Sequence, residues 1–168
     1  MSDENNLGGK NGIEIYLVTG YGGVMPINYY HAALLTNNRE VFVCGANCAG
    51  QLGTGDTRHR KELTKVDFVC GIASISAGNA SHTVAVDVEG YVWCCGSGSL
   101  GELGIVFQSS DTEKIVTKFT KNPYLTNIVG VAAGNRATLV ADNHGYVWGF
   151  GHNHNGNLGI VETTVFEP

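Results

Sequence analysis

The sequence predicts an all-β protein, a partial and open β-propeller of about three four-stranded blades. Three observations point there. A glycine-rich block recurs three times, each copy reads as a strand–turn–strand hairpin running into a tight loop, and no segment carries a helical period. The blocks align without internal insertion. They run from His31 to Gly53 (HAALLTNNREVFVCGANCAGQLG), from His82 to Gly104 (HTVAVDVEGYVWCCGSGSLGELG) and from Ala137 to Gly159 (ATLVADNHGYVWGFGHNHNGNLG). Glycines match at Gly45, Gly96 and Gly151, at Gly50, Gly101 and Gly156, and at Gly53, Gly104 and Gly159.

Taken in chain order, Ile13–Val18 supplies an edge strand ahead of the first block. Within a block, Thr83-Val84-Ala85-Val86 is a short apolar run rich in β-branched residues, as a buried strand requires. Val88-Glu89-Gly90 is a hairpin turn, matched by Asn37–Arg39 and Asn143–Gly145. Tyr91–Cys95 and Tyr146–Phe150 return, with Val92 and Val147 on one face and Trp93 and Trp148 on the other. The run G-x-x-x-x-G-x-L-G that follows is too glycine-rich for either regular structure. It predicts a loop with glycines at φ > 0, in which Leu52, Leu103 and Leu158 plug the core. Ile72–Gly78 and Ile128–Gly134 are the first strands of the second and third units, and Lys65–Val69 and Lys114–Phe119 are outer strands. The expected organisation is a disordered acidic tail over residues 1–12, then repeats over 13–168 in blocks 27–66, 72–119 and 128–168, an incomplete ring.

Composition narrows the function. The chain has 168 residues, 43% hydrophobic and 15% charged, which is globular, and 24 glycines against 3 prolines fit many turns between short strands. The formal net charge of -5 leaves no basic footprint for a phosphate backbone, so no direct nucleic-acid partner is expected. Apolar stretches fall short of the roughly 20 residues that span a bilayer, and no basic-then-apolar leader opens the chain. A cytoplasmic or nuclear protein without a membrane partner is expected. The five cysteines, among them Cys44, Cys48 and the vicinal Cys94–Cys95, lack the paired spacing of a zinc site and read as reduced thiols. No metal and no cofactor are expected. Nor is an enzyme: there is no G-x-S-x-G, no P-loop and no catalytic carboxylate pair, since Asp87 and Asp142 are repeat-equivalent turn residues.

Three groups of residues bear weighing as sites. His152-x-His154 lies in a glycine-rich loop and reads as solvated, and Trp93 and Trp148 read as blade packing. The stretch Asp56–Glu62 concentrates positive charge on an acidic protein in an inter-strand loop. Arg58, His59, Arg60 and Lys61 are therefore candidate partner-binding residues, against the plainer reading of a solvated charged loop.

The pattern V-x-x-I-x-A-G-x-x-H-T-x-x-L-x-x-x-G-x-V-x-x-x-G-x-N-x-x-G-Q-L-G resembles the repeat of the regulator of chromosome condensation. Gly78, His82, Thr83, Gly90, Val92, Gly96, Gly101, Leu103 and Gly104 occupy its places, as do Asn47, Gly50, Gln51, Leu52 and Gly53. The likeness covers roughly residues 27–168. Ala137 stands where the first-strand His is expected in copy three, and Arg39 where the turn Gly is expected in copy one. The resemblance implies a propeller, usually of seven blades, with His31, His82 and the nine aligned glycines as structural positions. It implies a protein-interaction scaffold. The alternatives are an exchange factor or other regulator of a small Ran-like GTPase, or a piece of a larger multidomain protein such as a ubiquitin ligase. Three blades leave an apolar face at each end, so self-association or a longer chain is expected to complete the ring.

Overall fold

The computed structural model describes residues 15–20 (backbone only), 30–67, 69, 71–79, 81–108 and 114–159. Every strand pairing in it is antiparallel. The first sheet holds β1 (Ile15–Gly20), β2 (His31–Thr36), β3 (Val41–Gly45) and β4 (Arg60–Lys65), in the order β1-β2-β3-β4. The second repeats it with β5 (Ile72–Gly78), β6 (His82–Asp87), β7 (Val92–Ser97) and β8 (Ile115–Lys121). The third holds β9 (Ile128–Ala133), β10 (Ala137–Asp142) and β11 (Val147–Gly151). These are three blades of an open propeller. Residues 1–14, 21–29 and 160–168 lie outside the described residues, and with them the expected acidic tail and any fourth strand of blade 3.

One strand is displaced from its expected place. The outer strand of blade 1 is Arg60–Lys65, whereas the sequence suggested Lys65–Val69. The apolar letters after Lys65 drew the reading away. Val66 and Val69 are buried plugs of the core between blades 1 and 2, while the strand itself is mostly exposed and pairs Phe42 with Lys65 and Gly45 with Arg60. An outermost strand faces solvent along most of its length, so charge can replace apolar residues there.

The core lies between blades. Alternation along each strand sends one set of side chains to the preceding blade and the other to the next. Leu35, Val41 and Val43 of blade 1 meet Ile75, Ala85 and Cys95 of blade 2, with Trp93 packed alongside. Val86 and Val92 of blade 2 meet Ile128 and Val140 of blade 3, backed by Phe150. Val84, Cys94 and the loop residue Leu103 form a further cluster with Val131 and Ala133. Leu52 and Leu103 are fully buried, as loop plugs should be.

The turns and loops have specific local causes. In blade 2 the Asp87 Oδ1 accepts the N–H groups of Glu89 (3.0 Å) and Tyr91 (2.9 Å), and its Oδ2 accepts the Trp93 indole N–H (2.8 Å). Asp142 repeats the arrangement with His144, Tyr146 and Trp148. All nine aligned glycines have φ between 60° and 106°. At Gly96 (φ 106) an added Cβ would also collide with the Ser81 carbonyl, and Gly45 and Gly151 meet the carbonyls of Tyr30 and Arg136 in the same way. Arg39 holds φ 62 where blade 2 has Gly90 (φ 85), so the turn keeps its shape and the side chain carries the strain.

Two substitutions separate these effects. Gly96→Ala is expected to cost more than about 2 kcal/mol, because strain and backbone collision add. Arg39→Gly is expected to be neutral or stabilising by up to about 1 kcal/mol, because only strain is removed. Urea unfolding of the two variants measures both, and a stable Gly96→Ala protein would refute the collision.

Candidate functional site: an interblade latch and a basic rim loop

The histidine that opens the second strand of a blade reaches into the next one. His31 Nε2 lies 2.8 Å from Thr83 Oγ1, and the Thr83 hydroxyl donates to the Gln51 carbonyl at 2.7 Å. One blade on, His82 Nε2 lies 3.1 Å from Thr138 Oγ1, and Thr138 donates to the Glu102 carbonyl at 2.7 Å. A hydroxyl has one proton, here given to the carbonyl, so each histidine donates from Nε2–H. Each relay joins a strand and a loop of one blade to a strand of the next.

The loops at the end of the relay are braced internally. Gln51 Oε1 accepts the Ala49 N–H (3.0 Å) and Glu102 Oε2 accepts the Leu100 N–H (2.7 Å). Asn47 Oδ1 accepts the Leu52 N–H at 2.8 Å, as Asn153 does for Leu158 at 3.0 Å. His82 is fully buried, and its Nδ1 has no hydrogen-bond partner. Burial above all, with the nearby His31 adding to it, pushes its pKa down to about 4.

The rim loop of blade 1 is organised by Asp56. Its Oδ1 accepts the Arg58 N–H (3.0 Å), and its Oδ2 accepts Arg60 Nη2 (2.9 Å) and faces Arg58 Nε (3.3 Å). The Arg60 hydrogen bond and the Arg58 backbone bond hold the Asp56 carboxyl down at about 2. Arg60 Nη1 also donates to the Arg58 carbonyl at 2.7 Å. His59 Nδ1 accepts the Asn47 N–H at 2.9 Å. The loop is fastened to the neighbouring blade by a bridge between Thr54 and Lys118, with the Gly55 N–H on the Thr117 carbonyl at 2.8 Å.

The four candidate cations thus divide. Arg60, with 24% side-chain exposure, and His59 are used inside the loop, while the Arg58 side chain is 85% exposed and Lys61 is exposed. The stretch is also only partly a loop. Arg60, Lys61 and Glu62 belong to β4, and the loop ends at His59, because Gly45 pairs with Arg60 and draws the chain into the sheet. Sequence reasoning passed over Asp56 as the organiser and Thr83 and Thr138 as relay partners. The signal for the threonines was their repeat-equivalent position, second in the strand that opens each aligned block.

The remaining candidates stay apart from both features. The His152 and His154 rings lie 5.7 Å apart in the blade 3 loop. Cys94 and Cys95 are buried, which pushes the Cys94 thiol up to about 12 and the Cys95 thiol well above its ordinary value, so neither is a ready nucleophile.

Models of the regulator of chromosome condensation (RCC1) repeat match residues 40–86 and 72–102, which include Gln51 and Thr83 of the first latch and His82 of the second. Residues 40–102 of the chain carry RCC1 repeats. The secretion-regulating guanine nucleotide exchange factor of Bos taurus is 33% identical over 138 residues, which is 80% of this chain and 27% of the relative. Solved structures superimpose on this chain. Human WBSCR16 does so with a TM-score of 0.66 at 19% identity, over 90% of this chain and 35% of its own. Prp20p of Saccharomyces cerevisiae, described with its binding to Gsp1p and histones, gives a TM-score of 0.61 at 22% identity, over 72% of this chain and 31% of its own. These RCC1 repeats therefore span about a quarter of the curated relative and about a third of the solved propellers.

The buried latch makes the RCC1 arc acid-sensitive. Between pH 6.5 and about 4 the unfolded His82 binds a proton that the folded one refuses. Stability is therefore complete above pH 6.5 and falls on acidification by up to about 1.4 kcal/mol per pH unit. His82→Phe should flatten that slope in chemical denaturation, and an unchanged slope would contradict the assignment. Thr138→Val, which leaves the His82 N–H unpaired, should cost about 1–3 kcal/mol at pH 7.

Proposed function

We propose that this arc of RCC1 repeats, with units at 27–66, 72–119 and 128–168, is a protein-interaction scaffold that meets its partner through the rim loop. Arg58 and Lys61 make the contact, and Arg60 and His59 hold the loop in shape. The observation that carries this reading is the loop's pre-organisation. Asp56 fixes its backbone, the Thr54–Lys118 bridge spans two blades, and the Arg58 side chain still points into solvent. A cation held rigidly on a chain of net charge -5 suits an acidic protein surface, because little ordering entropy is lost on binding. The acidic balance favours a protein over a nucleic acid, in the cytoplasm or the nucleus.

A second reading is a regulator of a small GTPase. Two relatives support it, one named as an exchange factor and one described with its binding to Gsp1p. Exchange works by stabilising the nucleotide-free state, so it needs a shaped surface and no nucleophile.

One set of proteins tests both. Arg58→Glu with Lys61→Glu should abolish partner capture while leaving the thermal midpoint unchanged, whereas Arg60→Glu should lower the midpoint by releasing Asp56. Unaltered capture by the double variant would remove the loop from the contact. Faster release of labelled nucleotide from a panel of small GTPases would favour the second reading over a passive scaffold.

A further inference from the structure

Positive charge on this chain is segregated. The outer strands β4 and β8 carry Arg60, Lys61, Lys65, Lys118 and Lys121 against one carboxylate, Glu62, although the whole chain has a net charge of -5. Three of these cations are engaged close to home: Arg60 by Asp56 at 2.9 Å, Lys65 by Glu40 at 2.6 Å, and Lys121 by the Tyr91 ring. Lys61 and Lys118 are exposed, and the side chain of Arg58, just ahead of β4, is 85% exposed.

The fold brings Arg58 and Lys118 together from different blades. The rim loop of blade 1 lies against β8 of blade 2 through the Thr54–Lys118 bridge, and residues paired across an antiparallel bridge share a face. The Thr54 hydroxyl donates to Asp56 Oδ1 at 3.3 Å, and Asp56 Oδ2 faces Arg58 Nε at 3.3 Å. Lys118 of blade 2 therefore stands on the face toward which Thr54 holds the carboxylate that carries Arg58. The contact between loop and strand is close. A Cβ added at Gly50 or Gly53 would collide with Thr117 or Phe119 of β8, so the two cations keep their relative place.

We propose that the outer surface across the junction of blades 1 and 2 binds an acidic peptide segment, with Arg58 supplied by one blade and Lys118 by the other. This surface rests on the rim-loop contact proposed above and extends it to a second blade. It lies at a junction inside the arc, on outward strands, and both cations are open to solvent. A short run of carboxylates can meet them and pass by Asp56 and Glu62. A nucleic acid spreads its contacts over many phosphates and would run onto the acidic remainder of the chain. Because the cations come from two blades, the surface exists only while that junction is closed.

Fluorescence anisotropy of the full chain with a labelled decaglutamate peptide at low ionic strength is the test, with circular dichroism and thermal melting as controls for folding. Wild type should bind decaglutamate, ignore decaglutamine, and lose affinity as salt is raised. Arg58→Glu and Lys118→Glu should each weaken binding about fivefold or more, and the milder Lys118→Gln about twofold. Arg39→Glu makes the same change of charge on the turn at the opposite end of blade 1 and should leave binding unchanged. Loss with Arg58→Glu but not with either Lys118 variant would overturn the two-blade surface and leave the rim-loop contact standing. Indifference to both positions would remove the two together. Equal weakening by Arg39→Glu would reduce the effect to net charge and overturn the proposal. So would folded wild type that does not bind decaglutamate, or that binds a decathymidylate strand more tightly.

Discussion

The buried relay from imidazole to hydroxyl to loop carbonyl is the interaction on which the arrangement depends. Each blade is a twisted sheet of three or four described strands, and a stack of apolar faces alone would tolerate sliding. A hydrogen bond fixed in position at the base of the second strand does not. Because Thr83 and Thr138 each serve two partners, one from a strand and one from a loop, each junction is set in two directions at once. The glycines at Gly45, Gly96 and Gly151 follow from the same requirement. The third strand passes so near the backbone ahead of the second that no side chain fits, and this proximity brings the histidine to its place.

Much of the fold was legible because its constraints leave marks on single residues. A backbone at φ > 0 selects glycine, and the hairpin turns announce themselves through Asp87–Gly90 and Asp142–Gly145. Even Arg39, which breaks the pattern, was placed in its turn by alignment. The outer strand of blade 1 left no such mark. Its burial is nearly uniform along Arg60–Lys65, so no period of two is written into the letters, and the apolar residues just after it belong to a plug.

The rim loop was legible as a location and opaque as a mechanism. Arg58 and Arg60 are the same letter two positions apart and both face Asp56, yet the side chain of one is 85% exposed and that of the other 24%. That division depends on where β4 begins, which the sequence misplaced. Cations on the outermost strands also serve the sheet edges. Arg60, Lys61 and Lys65 on β4 and Lys118 and Lys121 on β8 make those edges poor templates for another strand. Lys121 Nζ sits 3.0 Å from the Tyr91 ring centroid, so one of them also stacks on an aromatic face.

The chain carries two tryptophans, Trp93 and Trp148, at the same place in successive repeats, each donating its indole N–H to the aspartate of its own turn. Their chemistry is matched and their surroundings are not. Trp93 packs against the core between blades 1 and 2, while Trp148 is 44% exposed on the last described blade. The protein therefore contains a built-in pair of optical reporters with the same indole–aspartate bond and different solvent access. Emission from Trp93 belongs at shorter wavelength, shielded from a water-soluble quencher, and emission from Trp148 at longer wavelength and open to it. Any partner that covers the last blade would change one signal and leave the other alone.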